Sequence, residues 1–256
     1  MHESAFLQNA VRKAGDAIRS VSRDVVHKKT DGSPVTRADE LAHDILMREL
    51  SGLGMPVISE ESDITVIPQG DVCIIDPLDG TSSFNKEEDG WTVMVGLIIG
   101  GEPTIGVIYS PAAGKMWCGI KGVGAWVEHE VARKEIHVSN TNEMISAKMA
   151  TSIHHRGRAM NELLHRLSCL ESPLHGAGTK MVGVADGTVD MYWSDGALKK
   201  WDVCAGHAIV VAAGGRVTEA MGNSIVYPGG TSVAGLAVSN GNLHDILTGY
   251  ATAITH

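Results

Sequence analysis

The stretch "IIDPLDGTSSF", residues 74–84, runs two β-branched apolar residues straight into two acids, Asp76 and Asp79, and then into Gly80-Thr81. Ile74 and Ile75 read as the end of a buried strand, and Pro-Leu-Asp-Gly-Thr as the turn that leaves it. Acids placed there stand at a sheet edge, where ligands are met. Three further acidic stretches need the same explanation: "PVTRADELA" with Asp39, "VISEES" with Glu60 and Glu61, and "KKWDVCAGHA" with Asp202. Each acid lies at or near the border of an apolar run, where a carboxylate is neither freely solvated nor cheaply buried. Convergence on cations resolves the conflict. Hard divalent ions such as magnesium take carboxylate, carbonyl and water oxygens, and two ions roughly 4 Å apart can grip the attacking and leaving oxygens of a phosphoryl group. The turn from Asp76 to Asp79 could present two side chains and the Leu78 carbonyl to such ions. Pro77 would fix the turn, and Gly80 would let a ligand approach the backbone closely. Thr81 could open a helix whose free N–H groups bind phosphate.

Each piece also has a plainer reading. Thr36 with Asp39 matches a helix capping box. Glu60-Glu61 could be a solvated loop, and Asp202 a helix-start acid favoured by the dipole. Lys28 and Lys29 are either solvated charge or a loop that closes over an anion. His154-His155 does not pair into a metal site, since adjacent residues on a strand point to opposite faces. The four acidic stretches together outweigh these separate readings.

The elements that must position these acids follow from periodicity. Phe6, Leu7, Ala10, Val11, Ala14, Ala17, Ile18 and Val21 recur at helical spacing, as do Ala38, Leu41, Ala42, Ile45 and Leu46. Two helices therefore flank the loop "HKKTDGSP". Beyond residue 56 come short β-branched runs, "VCII", "WTVMVGLII" and "TIGVIY", punctuated by Gly and Pro, which read as a sheet. After about residue 137 the pattern alternates. It runs from a strand near "AKMATS" to a helix from about Arg158 to Leu170, a strand at "TVDMYW", a helix at "WDVCAGHAIVVAA" closed by Gly214-Gly215, then "GLAVS" and a last helix. This predicts an α/β layout with helices layered on sheets, in two parts: residues 1–136 carrying most of the acids, and residues 137–256 supplying Asp202.

Composition narrows the function classes. With 256 residues, 43% of them hydrophobic, the chain can bury a substantial core. Its most apolar run, Trp91 to Ile99, is far below the roughly 20 residues that span a bilayer. The start "MHESAFLQNAVRKAG" is amphipathic with an early acid and reads as no export signal. Cys73, Cys118, Cys169 and Cys204 form no CxxC pair, so a reducing cytoplasm is expected. A net charge of −9 argues against nucleic acid held by a basic surface.

The ordered set of Asp39, Glu60-Glu61, "DPLDGT" and "WDVCAG" resembles the lithium-sensitive, magnesium-dependent phosphomonoesterases: inositol monophosphatases, bisphosphate nucleotidases and some fructose bisphosphatases. The resemblance covers nearly the whole chain. It implies a layered α-β-α-β-α sandwich, commonly a homodimer, and two to three Mg2+ ions. Glu60, Asp76 and the Leu78 carbonyl would hold the first metal, Asp76, Asp79 and Asp202 the second, and a third, weaker ion would share Glu60. Asp39 and Thr81 would orient and deprotonate the attacking water, while the Gly80 and Thr81 N–H groups receive the phosphate.

Two rivals are weaker. A haloacid-dehalogenase-like phosphatase also ends a strand in Asp and DGT, but with one residue between its acids, where this chain has Pro77 and Leu78. A non-catalytic cation-binding protein would not need the water-activating pair Asp39 and Thr81. For the substrate, "DGSPVTRAD", "GAGTKMVGVADG" with Lys180, and "WDVCAGHA" with His207 resemble the 3′(2′),5′-bisphosphate nucleotidases. Two positions depart from them. Ile153 stands where that branch carries an arginine, and Asp195 stands where inositol monophosphatases place an acid that meets a sugar hydroxyl. The expected substrate is 3′-phosphoadenosine 5′-phosphate, with Lys180 reaching its second phosphate. Inositol 1-phosphate and histidinol phosphate are the alternatives.

Overall fold

The computed structural model describes residues 2–21, 25–28, 34–153 and 157–255, so Lys29, His154 and His155 lie outside the described residues. Its longer elements include helices α1 (His2–Ile18), α2 (Arg37–Leu50), α3 (Thr81–Asn85), α4 (Arg158–Leu167), α5 (Ala177–Ala185), α6 (Lys200–Ala212) and α7 (His244–Thr255). The apolar stripes of α1 and α2 are buried together on one face of a seven-stranded sheet. Its strands are Val57–Ser59, Val72–Asp79, Thr92–Ile99, Glu102–Ser110, Lys115–Ile120, Gly124–His129 and Ala132–Ile136, side by side in chain order. Val57–Ser59 runs parallel to its neighbour, and the rest form an antiparallel meander. Strand periodicity divides the side chains: Val93, Val95 and Leu97 join the α1 and α2 core, while Met94 joins the core on the other face.

That other face receives α6, and glycines decide how closely. Gly96, Gly106 and Gly119 are direct cross-strand neighbours on three successive strands. A Cβ on them would fall 2.4 Å from Cys204 Sγ, 2.1 Å from the Ala205 carbonyl oxygen and 2.5 Å from Ile209 Cα. The helix therefore lies on bare backbone. Gly206 on α6 does the same for Met181 of α5, whose Sδ would lie 2.5 Å from a Cβ there.

A five-stranded sheet closes the other side, in the order Leu170–Leu174, Lys148–Ser152, Met191–Ser194, Leu236–Ser239, Arg216–Thr218. The first three strands are parallel and the remaining pairings antiparallel. The α5 and α6 helices are sandwiched between the sheets, and α4 and α7 cover the outer face of the smaller one. The layers are α-β-α-β-α, as expected. Two boundaries differ from the sequence reading. The helix predicted from Arg158 to Leu170 ends at Leu167, where Ser168 turns left-handed (φ 52°) and Leu170 opens an edge strand. The strand predicted at "TVDMYW" begins only at Met191, because Asp186 accepts hydrogen bonds from the Thr188 N–H and hydroxyl and holds a turn. Among the described residues, no helix is long and apolar enough to cross a membrane.

Candidate metal centre and active site

The sequence predicts a turn at Asp76, yet the strand continues to Asp79 with a bulge: Asp76 pairs with Met94, Asp79 with Thr92, and the register slips between. One extra residue on this strand, two between the pairs against one on the partner, bends the strand end and re-aims its side chains. The Leu78 N–H donates to Asp76 Oδ1 at 3.0 Å, which stabilises the bend. Along this strand Cys73 and Ile75 face α1 and α2, while Val72 and Ile74 pack with Trp201 and Cys204 of α6. Asp76 continues the second parity, so it faces the helix that carries Asp202. Glu60 follows the parallel strand Val57–Ser59, and its N–H donates to the Ile75 carbonyl at 3.2 Å. One carboxylate oxygen from each of Glu60, Asp76 and Asp202 lies within 4.8 Å of the other two.

Asp76 is 1% exposed. Burial, then the charges of Glu60, Asp79 and Asp202, drive its carboxyl well above the usual carboxylate range. Asp202 sits at the third position of α6 and accepts the Lys199 N–H at 3.0 Å. Its helix-cap reading therefore holds, alongside its place in the acidic group.

Asp39 likewise caps α2 while reaching the site. Thr36 donates its N–H (2.7 Å) and its hydroxyl (2.5 Å) to Asp39 Oδ2. The other oxygen, Oδ1, lies 3.4 Å from Thr81 Oγ1, which also lies 3.1 Å from the Leu78 carbonyl oxygen. Asp39 is 3% exposed, so the capping box doubles as a rigid mount for a buried carboxylate. Thr81 opens α3, as predicted. Gly80 caps it with φ 85°, and a Cβ there would lie 2.9 Å from the Gly90 carbonyl oxygen. Glycine meets both constraints; helical bonding in α3 begins with the Ser83 and Phe84 N–H groups donating to the Gly80 carbonyl, which leaves the Gly80 and Thr81 N–H groups ahead of the helical ladder.

Asp79 stands apart from the group of three. Its carboxylate is held by the start of α5: Ala177 N–H to Oδ1 at 3.3 Å, Gly178 N–H to Oδ2 at 2.8 Å, and the Thr92 hydroxyl to Oδ2 at 3.4 Å. Burial raises its pKa, opposed in turn by the Gly178 N–H, the Lys180 charge, the Ala177 N–H and Thr92. Sequence reasoning missed this cradle. Its signal is "GAG": a Cβ on Gly176 would strike Asp79 Oδ2 at 2.3 Å, and one on Gly178 would strike Met94 Sδ at 2.6 Å.

Lys180 lies one turn further along α5, 6% exposed, with its ammonium 5.1 Å from the centre of the Tyr192 ring. Burial lowers its pKa and the nearby Asp79 charge partly restores it. It lines a cavity of about 220 Å3 together with Tyr192, Ser194, Asp195, Ser152 and Met160. Asp195 is on the exposed side of that cavity. The structure thus groups Glu60, Asp76 and Asp202, joins Asp39 to Thr81 and Leu78, and sets Asp79 between this centre and the Lys180 cavity.

The match to the inositol monophosphatase family spans residues 2–255. The chain belongs to that family. It is a phosphomonoesterase acting on a small phosphate ester. Over 230 residues it is 35% identical to the 3′(2′),5′-bisphosphate nucleotidase CysQ of Escherichia coli K12, covering 84% of this chain and 90% of that one. It is 30% identical over 253 residues to an inositol-1-monophosphatase of Mesorhizobium japonicum, covering 92% and 93%. Among solved structures, the fold is shared by Thermotoga maritima IMPase, with a TM-score of 0.86 at 23% identity over 100% of this chain and 98% of that one. CysQ from Bacteroides thetaiotaomicron matches with a TM-score of 0.80 at 25% identity, covering 93% and 97%.

A divalent metal, which the family implies, fits the donor set. Three carboxylates and a carbonyl at the strand end offer only hard oxygens, the preference of magnesium-like ions. Asp76 is buried among like charges, while the Lys180 charge acts on Asp79. A bound cation relieves that repulsion.

Proposed function

We propose that the chain is a magnesium-dependent 3′(2′),5′-bisphosphate nucleotidase, hydrolysing 3′-phosphoadenosine 5′-phosphate or a related bisphosphate. The observation that carries this reading is the buried Lys180 in the cavity beside Asp79. A substrate with a second phosphate needs a cation away from the acidic group, and a buried ammonium gives a charge-assisted contact. The CysQ relatives support the same reading.

In this reading Glu60, Asp76, Asp79, Asp202 and the Leu78 carbonyl hold two to three Mg2+ ions. When bound, the ions supply Lewis acidity and neutralise charge on the phosphoryl group during in-line displacement. Asp39 is the base: with Oδ2 taken by Thr36, Oδ1 accepts a proton delivered through the Thr81 hydroxyl. Thr81 Oγ1 passes that proton to Asp39 while the attacking water gives up its own, and the Gly80 and Thr81 N–H groups bind the phosphate oxygens. Lithium inhibits, as it does for the lithium-sensitive phosphatases that the chain resembles.

Steady-state kinetics on 3′-phosphoadenosine 5′-phosphate, inositol 1-phosphate and histidinol phosphate test the assignment. Lys180→Ala is expected to lower kcat/KM for the bisphosphate selectively, by roughly tenfold or more for a lost charged hydrogen bond. Equal effects on all esters, or a wild-type preference for inositol 1-phosphate, would hand the function to the second reading. That reading is favoured by Asp195, an acid on the same cavity that would accept a polyol hydroxyl and repel a phosphate.

The site also suggests a division of labour in the chain: residues 1–136 supply most metal ligands and residues 137–256 supply Asp202 and the substrate contacts. We take the enzyme to be a cytoplasmic homodimer, supported by its thiol pattern and by the resemblance. Sedimentation at micromolar concentration tests the dimer, with a monomer mass counting against it.

A further inference from the structure

We propose that His175 is a positioning residue, which clamps the Gly80-Thr81 turn in place by pressing loop 87–90 onto it and tying that loop to α3. The inference rests on the reading of Gly80 and Thr81 as the phosphate-receiving turn.

Three stacked layers carry it, one imidazole ring and two stretches of backbone. A Cβ on Gly90 would fall 1.9 Å from His175 Cγ, so the imidazole lies directly on the Gly90 backbone. On its other side Gly90 meets Gly80, whose Cβ would lie 2.9 Å from the Gly90 carbonyl oxygen. His175, Gly90 and Gly80 therefore stack in that order with no side chain between. The ring is fixed by its Nδ1, 2.9 Å from Ser83 Oγ and 3.5 Å from Glu88 Oε2. Ser83 is 2% exposed and sits on α3 two residues after Thr81, and a hydroxyl so buried requires a partner. Glu88 belongs to the pressed loop, and its N–H donates to the Ser83 carbonyl at 3.0 Å. Phe84 of α3 packs edge-on against Trp91, ring centres 5.1 Å apart, closing the same loop from within.

The position of His175 in the chain adds to this. It immediately precedes Gly176–Gly178, whose backbone cradles Asp79. A side chain at this point links the turn before α3 to the start of α5, two segments more than 90 residues apart in sequence. Loss of the clamp would let the turn drift from the acidic centre, and an error of about 1 Å in such a position can cost on the order of 100-fold in rate.

The test compares wild type with His175→Ala, His175→Asn and Thr81→Pro on a generic phosphate ester. It measures kcat, inhibition by inorganic phosphate, the magnesium activation curve and thermal melting. Thr81→Pro removes the phosphate-facing N–H together with the Thr81 hydroxyl, so its response to phosphate is read from the phosphate-induced shift in melting temperature rather than from turnover. His175→Ala is expected to lower kcat and weaken phosphate inhibition each by roughly tenfold or more, with half-activating magnesium unchanged. His175→Asn, whose amide occupies the place of Nδ1, is expected to recover most of both. Wild-type phosphate inhibition in His175→Ala beside a weakened response in Thr81→Pro would overturn the clamp alone. An intact response in Thr81→Pro would overturn the underlying phosphate-turn reading. Failure of His175→Asn to rescue, with activity loss tracking melting temperature, would reduce His175 to a packing residue.

Discussion

At the scale of single residues, the acidic centre works against the stability of the metal-free protein. The Asp76 carboxyl is raised above its unfolded value by burial first and by Glu60, Asp79 and Asp202 next. A folded state that holds this proton more tightly than the unfolded chain loses stability as pH rises from the unfolded carboxylate value through the raised folded one, so above the ordinary carboxylate range the group is a net cost. Asp76→Asn is therefore expected to melt no lower than wild type in chelator while losing at least about 100-fold in activity. Magnesium at about 100 times its dissociation constant adds about 2.7 kcal/mol to wild type, a rise of roughly 5–11 °C in Tm, and the variant should show little of it. Differential scanning calorimetry with and without magnesium measures both, and equal metal-induced shifts would refute the assignment of Asp76 as a ligand. Asp39→Asn separates base from ligand: turnover should fall while the magnesium shift in Tm persists.

At the scale of elements, the decisive contact is α6 on the glycine strip. Asp202 meets Asp76 because Gly96, Gly106 and Gly119 let the helix rest on backbone. Gly106→Ala would drive a methyl to 2.1 Å from the Ala205 carbonyl oxygen, and the rigid backbone on both sides leaves only displacement of the helix. Overpacking of this kind costs about 1–3 kcal/mol, and we expect it to raise the magnesium needed for half-maximal activity by several-fold. Gly249→Ala is the control. It lies in α7, where an added Cβ has no neighbour within 4 Å, so it should be neutral or stabilise by about 0.4–1 kcal/mol. Similar magnesium requirements in the two variants would count against the strip as the positioning device.

At the scale of the whole molecule, buried histidines set the acid limit. His244 is 0% exposed, its ring nitrogens each 2.9 Å from a hydroxyl, Thr218 Oγ1 and Ser239 Oγ. Burial first, then Arg216, lowers its pKa to about 4. His207 is lowered to about 4 by burial as well, opposed by Glu102, and its Nδ1 lies 2.9 Å from the Tyr227 hydroxyl. Both are neutral in folded and unfolded chains above about pH 7. Below about 6.5 the unfolded chain takes up protons that the folded one refuses, so stability falls as pH drops from about 6.5 to 4. For His244 the loss is on the order of 3 kcal/mol by the foot of that window. Urea unfolding of wild type and His244→Gln at pH 7, 6 and 5 should show wild type losing stability relative to the variant, because the opposing contribution of the raised Asp76 carboxyl is common to both. An unchanged difference between the two would remove His244 from the explanation.

Much of this was legible in the sequence because it is local. Helical spacing marks α1 and α2, β-branched runs mark the central strands, and the cap at Thr36 and Asp39 depends on residues three apart. The types and order of Asp39, Glu60, Asp76 and Asp202 are sufficient to indicate metal-dependent phosphate chemistry. Tertiary structure decided the rest. The bulge at Asp76 depends on the neighbouring strand's register, and the α5 cradle for Asp79 joins residues nearly 100 positions apart. The glycines at 90, 96, 106 and 119 resemble ordinary turn or strand weak points until another backbone or ring is seen lying on them. A pattern along the chain reports which face a residue presents, whereas the distance between two faces is set by whatever packs between them.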